Sequence, residues 1–371
     1  MYPLKEGQTF PRNQWYIAAW AHEVGRELLA RQILGEPLVF YRTESGMPVA
    51  LDNRCPHRRY PLSKGRLVRD SVQCGYHGLT YDCTGKCTAI PSQDSVPPTY
   101  AVRAYPVHQA WEWLWVWMGD PALADIALIP DSRTIKVDDP DWLPEVGGRV
   151  PLKARYQLLN ENLLDLSHLS FLHSDNIGSA GVATAPVSVE ERETHLEVAR
   201  YIKSDRLDHL PVGKAFGLEG LTDRTMIQKF FAPSFHATGS DFDSAMSGGI
   251  DPGRHFGSLR VLHGVTPETA TTTHYFWGFS RDFKRDDARM TEAMRSVIES
   301  ALVQDIEALE EIEAMLAGGE GDIAEISARA DAASLRGRRM VERQIENDGP
   351  ARGAAVLHDM RANATASREP V

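Results

Sequence analysis

Residues 55–77 read CPHRRYPLSKGRLVRDSVQCGYH, two short loops that each offer one cysteine and one histidine, Cys55 with His57 and Cys74 with His77. Thiolate is a soft ligand and imidazole a borderline one, so such loops suit a metal site in which sulfur and nitrogen sort onto different atoms. The other two cysteines, Cys83 and Cys87, lie just beyond. In a secreted protein the cluster would suggest disulfides; in a reducing compartment it points first to metal. Spacing alone leaves two readings open. One is a structural zinc ion, held by two cysteines and two histidines or by all four cysteines. The other is an iron-sulfur cluster in which two histidines replace two cysteines on one iron.

The surrounding chain is that of a globular protein: 371 residues, 42% hydrophobic and 25% charged, long enough for two domains with separate cores. A net charge of -11 with scattered Lys and Arg argues against a nucleic-acid binder. The opening MYPLKEGQTFPRNQWYIAAW lacks the basic start and apolar run of a secretory signal, and no apolar run reaches the roughly 18 residues of a membrane span. A cytoplasmic location away from membranes is expected.

Around the cysteine loops the pattern is short and strand-like. WYIAAW, EPLVFYR, MPVALD, SVQCGYHGLTYD and WLWVWM are broken by Gly, Asn, Asp and Pro, which predicts a small antiparallel β domain. PALADIALIPDSRTIKVDDPDWLPE then reads as a surface linker. Farther on, HLEVARYI, TMIQKFFA, SLRVLHGV and THYFWGFSR alternate as an antiparallel sheet with one buried face should. Residues 286–316 predict a long helix, SLRGRRMVERQIEN a charged one, and RANATASREPV a frayed end. Cys83 and Cys87 read as half-buried small residues.

A second constellation lies in residues 160–173, NENLLDLSHLSFLH. His168 and His173 are five apart, a step of about 140° that would point their rings away from each other on a straight helix. A bend, a π-bulge or a helix end between them is therefore expected. Asp165 lies three residues before His168, on the same helical face, where a carboxylate can orient a ligand histidine. A third element comes from the long helix. Its apolar stripe runs Met294, Ile298, Ala301 or Leu302, Leu309, Ile312 and Leu316, and stepping by about 3.6 residues from Ile298 lands, two turns on, at Asp305. A carboxylate there is costly to bury unless paired or bound to metal. Glu307, Glu310, Glu311 and Glu313 read as a solvated face. Two histidines and a carboxylate form the facial triad of non-haem Fe(II) oxygenases. Asn162 is either a residue that orders this site or an ordinary helix-surface asparagine. His263 faces either a substrate pocket or the core.

CPHR, PLSKG and CGYHG in this order resemble the Rieske domain of ring-hydroxylating oxygenases. D-x2-H-x4-H from Asp165 to His173, with Asp305 late in the chain, resembles the catalytic domain of Rieske non-haem iron oxygenases. The likeness runs from RNQWYIAAW through HYFWGFSRDF to the C-terminal helices, and is strongest to the vanillate O-demethylase and dicamba monooxygenase branch. Two departures are Gly75, where the family often has proline, and Arg59-Tyr60 in place of small residues. The expected fold class is α+β, with an all-β Rieske domain (1–120), a linker (121–150), a catalytic domain with an antiparallel sheet covered by helices in the helix-grip manner (151–350) and a tail (351–371).

The resemblance implies a [2Fe-2S] cluster at Cys55, His57, Cys74 and His77 and a mononuclear Fe(II) at His168, His173 and Asp305. It implies a homotrimer packed head to tail, with Asp165 bridging His168 to the cluster histidine of the next subunit, His77 by position. Electrons come from a separate ferredoxin or flavin/iron-sulfur reductase using NAD(P)H, since the glycines in GSAGVA and AGGEGD lack the context of a dinucleotide fingerprint. With dioxygen and a small aromatic compound as substrates, oxidative O-demethylation is expected. Ring cis-dihydroxylation or another C–H hydroxylation would use the same residues, and a non-catalytic Rieske electron carrier would need the triad to be structural.

Overall fold

Strand Trp15–Trp20 is buried at every position, because two cores claim its two faces. Tyr16 and Ala18 enter one, with Leu38, Phe40 and Val116; Trp15, Ile17 and Trp20 enter the other. The computed structural model describes residues 10–318 and 326–348; the expected tail, 351–371, lies outside them. Trp15–Trp20 pairs antiparallel with Trp113–Trp117, which pairs with Val107–Ala110. Glu36–Arg42 and Pro48–Asp52 are the central strands of a four-stranded sheet, and the cysteine loops hang from a second small sheet built on Arg66–Val68 and Ser71–Gln73. The N-terminal region is all-β, as expected.

The second domain is a seven-stranded antiparallel sheet. Its edge strand Leu143–Leu152 pairs with the last strand, Thr273–Arg281, and the order runs back through His255–Pro267, Phe235–Gly249, Gly220–Phe231, Leu196–Arg206 and Val187–Glu191. The edge strand corrects the expected linker of 121–150, because residues 143–150 belong to the sheet. The Pro- and Asp-rich run that reads as a linker ends inside this strand, at Pro144 and Glu145, but an edge strand tolerates proline, and a bulge lies between Val146 and Gly148. A Cβ at Gly147 would lie 2.2 Å from the Trp277 carbonyl oxygen, so the close approach requires glycine there.

Three helices, Tyr156–Leu164, Ala288–Gly318 and Ala332–Asn347, cover one face over a core that includes Leu159, Phe230, Tyr275, Met294 and Val341. The opposite face takes the tryptophans of the first domain, with Trp20, Trp113 and Trp117 sharing a core with Phe235, Leu262 and Phe276. Strand Thr273–Arg281 is consequently buried at all nine positions, so where the domains meet the sheet has two buried faces rather than the one expected. Each large apolar side chain so buried contributes roughly 1.5–3 kcal/mol, which makes the two domains one packed unit.

The long helix buries Met294, Ile298, Ala301, Leu302, Asp305 and Leu309 as its stripe predicts. Past Leu309 the stripe fails: Ile312 and Leu316 are exposed, and Glu313 is buried. The carboxylate of Glu313 lies 2.6 Å from the guanidinium of Arg155 and also accepts the Arg155 backbone N–H, just ahead of the first helix. The last turns meet the entrance of that helix instead of the apolar core, so a charged partner replaces an apolar one.

Candidate metal centres

The first helix ends at Leu164, and Asp165 takes an extended conformation. A short 3-10 turn, Leu166–Ser170, follows, capped by the Asp165 carboxylate, which accepts from the Ser167 backbone N–H (2.8 Å) and hydroxyl (2.8 Å). Neither histidine lies on the α-helix: His168 is in the 3-10 turn, which ends at Ser170, and His173 follows in the turns beyond it, so the step of about 140° on a straight helix does not apply and both rings reach one side. Both Nε2 atoms approach the same oxygen of Asp305, His173 at 3.2 Å and His168 at 3.4 Å. Among the described residues these three form the one group of His, Cys, Asp and Glu whose ligand atoms all lie within 4.8 Å of one another.

The far nitrogen of each ring is already committed. His168 Nδ1 donates to the Asp165 backbone carbonyl at 2.6 Å, and His173 Nδ1 donates to Gln304 Oε1 at 2.7 Å. Each bond fixes the tautomer that leaves an Nε2 lone pair toward Asp305. The expected helical-face contact between the Asp165 carboxylate and His168 is thus replaced by a carbonyl contact, because the helix stops one residue too early for the i, i+3 geometry. The carboxylate instead lies 3.1 Å from the buried guanidinium of Arg200. Asn162 Nδ2 donates to Asp305 Oδ1 at 3.0 Å, which places Asn162 at the site. Gln304 carried no sequence signal except its place beside Asp305.

Burial raises the Asp305 carboxyl, but its bonds to the two histidines outweigh that and hold it well below the usual carboxylate range. Burial lowers His173, and the bond to Asp305 and its charge more than reverse this, so the ring is raised above the ordinary imidazole value. In the protein alone a proton is drawn into the space between these groups. His168 Nε2 is buried without a hydrogen-bond partner. Two imidazole nitrogens and a carboxylate oxygen crowded round one point are a donor set suited to a divalent cation such as Fe(II), which would take the proton's place.

The triad opens on a pocket walled by apolar side chains including Leu166, Val261, Ile298 and Leu302. His263 lines it, buried, with Nε2 2.9 Å from the Thr238 hydroxyl and Nδ1 2.7 Å from the Tyr275 hydroxyl. Burial pushes its pKa down to about 3. Below His263, His236 bonds to Asn160 Oδ1 at 3.0 Å, which is held through its own Nδ2 by the Pro233 carbonyl. Neither Asn160 nor His236 stood out in the sequence, since only the strand register brings them together.

In the first domain Cys55 and Cys74 are buried, while His57 is half-buried and His77 exposed. Cys55 Sγ lies 3.3 Å from the Tyr81 hydroxyl, the His57 and His77 rings are 4.6 Å apart, and His57 Nδ1 is buried without a partner. No three of these four residues bring their ligand atoms within 4.8 Å of one another, as a tetrahedral zinc ion would require with bonds of about 2.0–2.3 Å. Sulfur inside and nitrogen outside suit a cluster of two irons, each with its own kind of ligand. Cys83 is half-buried as expected and Cys87 fully buried, its Sγ 3.5 Å from the Ala89 carbonyl.

Residues 14–106 match the Rieske [2Fe-2S] domain, and residues 152–347 match the vanillate O-demethylase oxygenase C-terminal domain. The chain is 36% identical to the iron-sulfur subunit of the toluene-4-sulfonate monooxygenase system of Comamonas testosteroni, over 92% of this chain and 99% of that one. It is 33% identical to a vanillate O-demethylase oxygenase subunit of a Pseudomonas species, over 94% and 98%. Its fold superposes on crystalline dicamba monooxygenase bound to 3,6-dichlorosalicylic acid with a TM-score of 0.83 and 33% identity, over 91% of this chain and 98% of that one. Among the described residues no helix is long and apolar enough to cross a membrane.

Proposed function

The chain belongs to the Rieske non-haem iron oxygenases, in the branch of the vanillate O-demethylase oxygenase subunits, and we propose that it demethylates a methoxylated aromatic compound. The observation that carries this reading is the convergence of His168, His173 and Asp305 on one wall of an apolar pocket. We assign the cluster to Cys55, His57, Cys74 and His77, and the mononuclear iron to the triad. The functional units are a Rieske domain of residues 1–120 and a catalytic domain that begins with the edge strand at Leu143 and runs to about 350.

When bound, the iron supplies open coordination positions for dioxygen and substrate, and the cluster supplies electrons one at a time. The chain's own residues do the positioning. Asp165 and Gln304 fix the two rings, Asn162 holds the Asp305 carboxylate, and the aliphatic wall excludes water and aims a methoxyl group at the triad. One oxygen atom enters the methyl C–H bond; two electrons and two protons carry the other to water. The resulting hemiacetal loses its C–O bond to give a phenol and formaldehyde.

Electrons come from a separate reductase component, as they do in multicomponent oxygenase systems; NAD(P)H is its proposed donor and the cytoplasm its proposed location. We further propose a head-to-tail homotrimer in which His77 of one subunit meets Asp165 of the next. Exposure of His77, Tyr76 and Phe171 supports this, as does the Asp165 carboxylate, which retains some exposure after binding Arg200.

The test supplies the purified protein with a reductase and NADH, screens methoxylated and carboxylated aromatics, and follows formaldehyde together with oxygen uptake. Formaldehyde equal to oxygen consumed is expected. Uptake that yields a diol and no formaldehyde would replace demethylation with ring dihydroxylation.

A further inference from the structure

Arg224 extends from strand Gly220–Phe231 into the wall of the same pocket, beside Ser240 and Phe242. It is 3% exposed. Its Nε donates to the Ser240 hydroxyl at 3.0 Å and its Nη1 to the Ile177 carbonyl at 2.8 Å, and the guanidinium carbon sits 5.3 Å above the Phe242 ring. These contacts fix the plane of the group but use only part of its donor fork. Nη2 makes no hydrogen bond to any described residue, although it is not sealed among protein atoms as the partnerless buried nitrogens are. Among the described residues no carboxylate lies within ion-pair distance of Arg224; Asp205 acts on it only through longer-range charge.

A buried cation without a counter-ion is costly, and here it faces a cavity that His168, His173 and Asp305 also line. Burial pushes Arg224 down to about 10, which still leaves it charged at neutral pH. His263, the other basic group on this wall, has both ring nitrogens committed and is neutral, so it supplies no charge. We propose that Arg224 is the specificity-determining residue that reads an anionic group on the substrate, a carboxylate or sulfonate, and so turns the opposite end of the aromatic ring toward His168, His173 and Asp305. An anionic oxygen of either group at Nη2 would complete the donor fork and restore neutrality to the wall. The Ser240 and Phe242 contacts set its approach direction. The inference rests on the proposed aromatic substrate but not on which bond is broken.

The experiment compares 4-methoxybenzoate with uncharged 4-methoxybenzamide, by calorimetric binding to the iron-loaded protein and by turnover with reductase. Wild-type protein is expected to bind the benzoate at least tenfold more tightly. Arg224→Gln should abolish that preference, raising KM for the benzoate more than it lowers kcat, while Arg224→Lys should keep part of it. Equal binding of acid and amide by the wild type would overturn the proposal without any variant being needed. A preference unchanged in Arg224→Gln of unaltered melting temperature would overturn it too. Charge-dependent binding without formaldehyde would leave Arg224 in its role and refute demethylation; formaldehyde without charge preference would do the reverse.

Discussion

The rings of His168 and His173 stand 5.1 Å apart between centroids and 72° apart in plane, across a five-residue step that an unbroken α-helix would turn by about 140°. The turn Leu166–Ser170 carries His168 and ends before His173, and this end of regular structure between the two rings, with Asp165 capping the turn at its start, brings them together. A tight turn is thus what makes the pair, and Asp305 on a separate helix completes it. The outer contacts of these three groups then govern how firmly a cation is held.

Asn162 donates to the Asp305 oxygen that both histidines approach. Asn162→Ala is expected to weaken iron binding at the triad by about 10–100-fold, the usual effect of losing a partner behind a metal ligand. Chelator competition followed by iron analysis measures this. The visible absorption of the cluster should not change, because Asn162 belongs to the other domain.

Asp165 holds Arg200 and caps the turn with its side chain, while only its backbone carbonyl serves His168. Asp165→Asn should therefore retain both metal centres yet slow electron arrival at the iron site, by about 10–100-fold or more. Single-turnover oxidation of the pre-reduced protein reads the effect. A normal rate would remove Asp165 from the proposed route of electrons to the iron site.

His263 is kept neutral by burial, its pKa down at about 3, whereas the unfolded chain has an ordinary histidine near 6.5. As pH falls below that value the unfolded state takes up a proton that the folded state refuses, so stability present above pH 6.5 is lost toward pH 3. One such group gives a slope of about 1.4 kcal/mol per pH unit. Thermal unfolding of His263→Gln between pH 7 and 5 should decline less steeply than wild type, by about one proton. His173, raised by Asp305, has the opposite sign in the metal-free protein, but it is common to both proteins and cancels in the comparison.

Local patterns were legible where chemistry demands fixed spacing. The cysteine-histidine loops, the histidine pair and the alternating strands could all be read in order, and Asp305 was found because an acid interrupts an apolar stripe. What escaped depends on chain segments meeting from afar. Glu313 reads as solvated until Arg155 is brought beside it, and the strand at Leu143–Leu152 reads as the end of a Pro- and Asp-rich linker until it pairs with Thr273–Arg281. His236 with Asn160, Gln304 with His173, and Arg224 in the pocket wall all follow from sheet register and helix packing. No periodicity encodes those relations. Asp165 shows the intermediate case: its place beside His168 is legible in the sequence, but its capping of the turn and which of its atoms meets His168 depend on where the helix stops.

One chain is proposed to carry two separate metal centres, a cluster in the first domain and an iron at the triad. Iron analysis of the wild type and Asp305→Ala, beside their visible spectra, tests it most directly. About three irons per chain are expected in the wild type and about two in the variant, with the reddish-brown cluster spectrum the same in both. Two irons in both proteins, or a cluster spectrum lost with Asp305, would contradict it.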